Sequence, residues 1–174
     1  MQRTFVCTAL MAVSLGWWLT AMAVAQAARG SDSDRQFLLH AASSGMAEVQ
    51  LGQLAAERAA SAEVKQFGQR MVDDHTKANQ ELRTLAQAKA LPATIAIDPK
   101  HQVMADKLDP LRGIAFDREY MASQVADHEE AVTLFTTAAK ESQDAQVKAW
   151  AAKTLPTLQE HLQMARALAA KQKR

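Results

Sequence analysis

Four side chains able to hold a metal ion stand near the midpoints of four helical stretches: Glu48, His75, His128 and His161. Each falls on the apolar stripe of its stretch, so the four can meet inside a bundle at heights that agree to about one helical turn. Three imidazoles and a carboxylate make a nitrogen and oxygen donor set suited to iron, zinc, copper or manganese with four or more ligands. A di-iron oxidase site would add a carboxylate three residues before a histidine, but Val72, Val125 and Leu158 occupy those places. His128-Glu129-Glu130 lacks the second histidine of a zinc-protease helix, and neither a phosphate-binding glycine loop nor a G-x-S-x-G turn occurs. No catalytic residue or organic cofactor is assigned, and the pattern leans away from an enzyme. A second reading stays open beside the metal site. Asp74, Asp127 and Glu160 directly precede the three histidines, so each also reads as a partly exposed residue in a charged stretch, or as a member of a satisfied structural network. Met71 and Met164 read as core fillers unless they turn toward the histidines, which would favour copper. His40 and His101 do not fit the cluster.

The elements that must position these residues follow from hydrophobic periodicity. A first helix is expected over about Asp34 to Arg58, with Phe37, Ala41, Ser44, Glu48, Leu51 and Ala55 inward. A second, about Ala62 to Lys89, starts after Ser61 as N-cap and turns Val64, Phe67, Met71, His75, Leu82 and Leu85 inward. Pro92, Pro99 and Pro110 then break the pattern over about Ala90 to Gly113. Asp98-Pro99 and Asp109-Pro110 each read as an N-cap acid with proline at the first helical position, with a short helix between them. A third long helix, about Ile114 to Glu141, carries Phe116, Tyr120, Gln124, His128 and Phe135 on one stripe. The fourth, about Ala145 to Lys171, is capped by Ser142 or Asp144 and carries Trp150, Leu158, His161 and Leu168; Pro156 predicts a kink or restart inside it. A constant offset of 83 positions aligns the two halves without gaps: Asp34-Arg35-Gln36-Phe37 falls on Asp117-Arg118-Glu119-Tyr120, and Val64-Lys65-Gln66-Phe67 on Val147-Lys148-Ala149-Trp150. This suggests duplicated helical hairpins. The proline-bearing linker is long enough to run the length of such a bundle. The expected fold is therefore all-α: a ferritin-like four-helix bundle over residues 34–171, with a long crossover between the second and third helices.

Composition agrees with that fold. The chain has 174 residues, 48% of them hydrophobic and 5% aromatic, with six glycines, which suits one alanine-rich helical domain. Residues 1–25 read as an export signal: Arg3, an uncharged apolar run, then Ala23-Val24-Ala25 as a cleavage pattern, with an uncleaved anchor as the alternative. Removal of the segment takes with it Cys7, the sole cysteine, so no disulfide or thiolate ligand remains. Because Arg3 is the segment's one charge, 19 basic and 19 acidic groups are left, and no basic footprint for nucleic acid exists.

Several runs give the chain a family likeness over about residues 34 to 170. They are Asp34-Arg35-Gln36-Phe37-Leu38, Val64-Lys65-Gln66-Phe67, Met71-Val72-Asp73-Asp74-His75, Phe116-Asp117-Arg118-Glu119-Tyr120, Asp127-His128 and Leu155-Pro156-Thr157-Leu158-Gln159-Glu160-His161. In these the chain resembles the bacterial domain of unknown function 4142, often labelled "predicted outer membrane protein" and grouped with ferritin-like folds. The resemblance implies an exported, periplasmic helical bundle and leaves its biochemistry undefined. Amphipathic helices cannot form a transmembrane barrel, so membrane contact would come through an uncleaved N-terminal segment or a partner. Two functions are carried forward. One is an envelope protein that handles a single transition metal ion (iron, copper or zinc), or protects the envelope under stress, through Glu48, His75, His128 and His161. The other is a metal-free structural or interaction module, self-associating or bound to a protein partner.

Overall fold

The computed structural model describes residues 13–92 and 96–172. Its elements are α1 (Val13–Arg58), α2 (Ala62–Ala88), α3 (Pro99–Leu108), α4 (Gly113–Glu141) and α5 (Ala145–Lys171), and among the described residues no strand is formed. Residues 1–12 of the expected export segment lie outside the described residues. The remainder of that segment opens α1, which begins well before Asp34 because no proline intervenes and Gly30 costs a helix only about 1 kcal/mol. Among the described residues, no helix is long and apolar enough to cross a membrane.

The long helices pack as two hairpins, α1 with α2 and α4 with α5, set so that α1 faces α4 and α2 faces α5. Ion pairs fix α2 antiparallel to α5: Glu63 with Lys171 (2.7 Å), Glu81 with Lys153 (2.8 Å) and Lys89 with Asp144. Since α4 starts beside the α1–α2 turn, the chain leaving α2 must cross the whole bundle, and α3 lies on that path against α1 and α4.

Hydrogen bonds between the halves repeat at the 83-residue offset. Asp34 Oδ2 accepts from the backbone N–H of Gln143 (3.1 Å) and Asp144 (2.8 Å) at the start of α5. Asp117, the offset counterpart of Asp34, accepts from Ala60 (2.9 Å) and Ser61 (2.8 Å), the counterparts of Gln143 and Asp144. Each half thus satisfies the orphan donors of the other's second helix. The aromatic packing repeats too: Phe37 meets Trp150 at 5.8 Å and Tyr120 meets Phe67 at 6.2 Å.

Three local expectations need correction. Ser61 is the N-cap of α2 but its hydroxyl makes no capping bond; Asp117, from α4, instead accepts from the Ala60 and Ser61 N–H groups of the turn. Asp98 does cap α3, accepting from Lys100 N at 2.8 Å, whereas Asp109 ends α3 and takes Arg58 Nη1 at 2.8 Å; α4 starts after Arg112 instead. Nor does Pro156 interrupt α5. Pro156 and Ala152 are both exposed, so the carbonyl that loses its donor faces water.

The core has two apolar clusters. One gathers Leu51, Phe67, Met71, Phe116, Tyr120 and Ala165. The other gathers Phe37, Leu82, Phe135, Trp150 and Leu158. Glu48, His75, Gln124, His128 and His161 fall between them along the helices, as a buried polar layer.

Candidate metal centre

One helix turn in α2, one in α4 and one in α5 bring His75, His128 and His161 together. Their ring centroids are 5.3 to 5.8 Å apart, and one ring nitrogen from each lies within 4.8 Å of the others. His128 and His161 are 1% exposed and His75 8%.

The hydrogen bonds of two rings decide where their protons sit. His128 Nδ1 donates to the Gln124 carbonyl at 3.0 Å, so the neutral ring keeps a lone pair on Nε2. His161 Nε2 lies 2.8 Å from Asp74 Oδ2, so its free lone pair is on Nδ1. Asp74 is anchored in turn by Arg70 at 3.2 Å; burial works to raise its pKa, but the bonds from His161 and Arg70 outweigh it and hold the carboxyl ionised. His75 Nε2, His128 Nε2 and His161 Nδ1 are all buried without a hydrogen-bond partner. Carboxylate and backbone acceptors that orient a ring while freeing its other nitrogen are a usual outer shell of metal-ligating histidines. Burial also keeps the rings neutral. It drives the pKa of His75 well below the ordinary value and that of His128 down to about 4, each reinforced by the neighbouring imidazoles. In His161 burial outweighs the opposing pull of Asp74. Unpaired, buried, neutral imidazoles are in the state a metal ion requires.

Glu48 stands to one side of this cluster. Its Oε2 accepts from Gln124 Nε2 at 2.8 Å, and its Oε1 is 3.8 Å from His128 Nδ1, the nitrogen already committed to a backbone carbonyl. Burial raises its pKa to about 8, with the Gln124 bond opposing and Asp127 adding to the rise. Met71 belongs to an apolar cluster, and Met164 Sδ lies 3.4 Å from Arg70 Nη1.

A cavity of about 40 Å³ adjoins the layer, enough for a water molecule or an ion, with His75, His128 and Glu48 in its wall. Gly45, Ala78 and Leu158 also line it, and these are the offset counterparts of His128, His161 and His75. The duplicated framework therefore carries its imidazoles on one side of the pseudo-symmetry and small or apolar residues on the other. Sequence reasoning missed Asp74 as the anchor of His161, having seen only its neighbour Glu160, which turns to Arg70 at 2.7 Å. It also set His101 aside, yet this residue is 3% exposed and lines the same cavity as Asp127. The i, i+4 spacing of Gln124 and His128 was visible, but the backbone bond it supports was not.

Comparison with known proteins adds the fold's relatives. The family model described as "Domain of unknown function (DUF4142)" matches residues 19–168. No curated protein matches. Among solved structures, a DUF305 fragment from Deinococcus radiodurans is similar with a TM-score of 0.71 at 14% identity, over 80% of this chain and 96% of that one. A DUF305 protein from Streptomyces coelicolor gives 0.69 at 14%, over 81% and 94%. CopM in the Cu(II)-bound form gives 0.67 at 16%, over 79% and 96%. At such identities the likeness is one of fold.

Proposed function

The chain belongs to the DUF4142 family, and from its own residues we propose that it binds one transition metal ion in the bundle core, through His75, His128 and His161. The observation that carries this reading is the convergence of three buried ring nitrogens that have no hydrogen-bond partner. Leaving such groups unpaired costs about 1–3 kcal/mol each, a cost that a metal ion repays and an apolar core would avoid. Ligand bonds of about 2.0–2.1 Å would draw the three nitrogens closer together while leaving a fourth position for water or a further donor. Neutral imidazoles without a clustered carboxylate suit copper and zinc better than non-haem iron, which prefers two histidines and a carboxylate. A Cu(II)-bound relative in fold supports copper first. Glu48 acts beside the ligands, holding Gln124 and through it the register of His128. This reading includes a place in the cell envelope, as metal storage, transfer or protection, and the export pattern of residues 1–25 supports it.

The test is elemental analysis and calorimetric titration of tag-free protein purified from an export-competent host. About one equivalent of Cu(II) or Zn(II), lost in His75→Ala and His161→Ala variants that stay folded, supports the reading. A folded wild-type protein that takes up neither ion overturns it and leaves the structural or interaction module, for which the Asp74–His161 and Glu48–Gln124 bonds across helices speak.

A further inference from the structure

The cavity beside the imidazoles continues outward into a second polar group that the centre itself does not use. Asp127 is 7% exposed, its Oδ2 has no partner and its Oδ1 meets only the Lys100 ammonium; His101 Nδ1, on α3, is likewise buried and has no hydrogen-bond partner. Both line the cavity that has His75, His128 and Glu48 in its inner wall. At its outer rim Lys100 reaches from α3 to α4, with Nζ 3.0 Å from Asp127 Oδ1 and 2.5 Å from Glu130 Oε2, and the side chains of Lys100 and Glu130 are about half exposed. The Lys100 ammonium thus engages Asp127 through Oδ1 alone and leaves Oδ2 buried and without a partner. The span of α3 that bears Lys100 and His101 is tied to α1 by the Ser43 hydroxyl, which accepts from Asp98 N at 2.7 Å.

We propose that metal cations reach the three-histidine centre between α1, α3 and α4, with Asp127 and His101 as the intermediate stop and the Lys100 ammonium as the occupant they displace. This rests on the metal-binding reading above. Asp127 Oδ2 and His101 Nδ1, buried and without partners, give a desolvating cation its first protein ligands. A half-exposed lysine at the rim keeps the carboxylate compensated when no cation is present. The crossover thereby becomes part of the function: the segment needed to connect the hairpins also roofs the way in.

The experiment follows Cu(II) binding by stopped-flow quenching of tryptophan fluorescence in the full chain, with Kd measured separately. A group on the path changes association and dissociation rates together and leaves Kd in place, whereas a ligand or a structural residue changes Kd. Lys100→Met is expected to speed both rates about tenfold, and Asp127→Asn to slow both by a similar factor. Lys107→Met, which removes the same charge from another part of α3, should leave them unchanged. Wild-type rates in Lys100→Met, equal acceleration in Lys107→Met, or a change confined to Kd overturns the route while the metal site stands. Because Lys100 is at the surface, its variant decides even if Asp127→Asn fails to fold. A wild-type protein that binds no Cu(II) removes site and route together.

Discussion

The titration of single residues in the polar layer gives the metal-free protein a pH profile of its own. His128, held at about 4, and His75 and His161, also lowered, bind fewer protons folded than unfolded as pH falls below 6.5. Their contribution is complete above pH 6.5 and is lost progressively toward pH 4. Glu48 has the opposite sign. Its folded pKa of about 8 lies above the ordinary 4.5, so its contribution is complete below pH 4.5 and is lost as pH rises to about 8. Stability of the apo protein should therefore peak near pH 6.5 and fall from there to about pH 8, by about 1.4 kcal/mol per pH unit at most from this one proton. Denaturant titrations from pH 4 to 9 check this, and Glu48→Gln should flatten the alkaline side while keeping the acid side. An unchanged alkaline slope in that variant would mean Glu48 is ionised in the folded state.

Helix contacts set the stage on which those residues meet, and two positions test them. Gly52 and Gly68 let α1 and α2 approach so closely that a Cβ on Gly52 would lie 2.7 Å from the Gly68 carbonyl oxygen, and one on Gly68 2.7 Å from both Ala55 Cβ and the Gly52 carbonyl oxygen. Backbone cannot swing aside as a side chain can, so Gly68→Ala should destabilise by about 1–3 kcal/mol in spite of alanine's better helix propensity. Chemical denaturation measures it, and a stabilised variant would refute the close approach. The inter-half caps give a second case. Asp34→Ala and Asp117→Ala should each cost about 0.5–2 kcal/mol, and near-additive losses are expected because the two sit at opposite ends of the bundle. The long helices and α3 were legible because periodicity, Asp98-Pro99 and the proline cluster are local signals. Asp117 was not read as a cap, since its partners Ala60 and Ser61 are distant in sequence and Ser61 reads locally as the cap of α2. Pro156 misled in the same way, because a sequence does not say that Ala152 faces water. The three histidines were legible as a stripe, whereas the offset of Glu48 from them depends on side-chain direction.

The molecule as a whole is a pair of similar hairpins, and the layer of His75, His128 and His161 departs from that likeness. Where His75 introduces an unpaired ring nitrogen, the related position in the other half carries Leu158, a residue of similar size and no polar atoms. The repeat itself thus suggests the exchange His75→Leu, and the two functional readings disagree on its sign. If the imidazoles are structural, removing His75 gives up its ring contacts with His128 and His161 and lowers stability. If they await a metal, removing one relieves a buried, unpaired polar group, and the chelated protein should gain about 1–3 kcal/mol. The loaded wild type should behave differently again, since free metal at a hundred times Kd stabilises it by about 2.7 kcal/mol. For a chain of this size that raises Tm by about 5–11 °C, a shift that His75→Leu should lack. Thermal melts of both proteins with chelator and with Cu(II) therefore separate the readings: a more stable chelated variant combined with a lost metal shift requires the centre, and a less stable variant whose melting ignores metal requires the network.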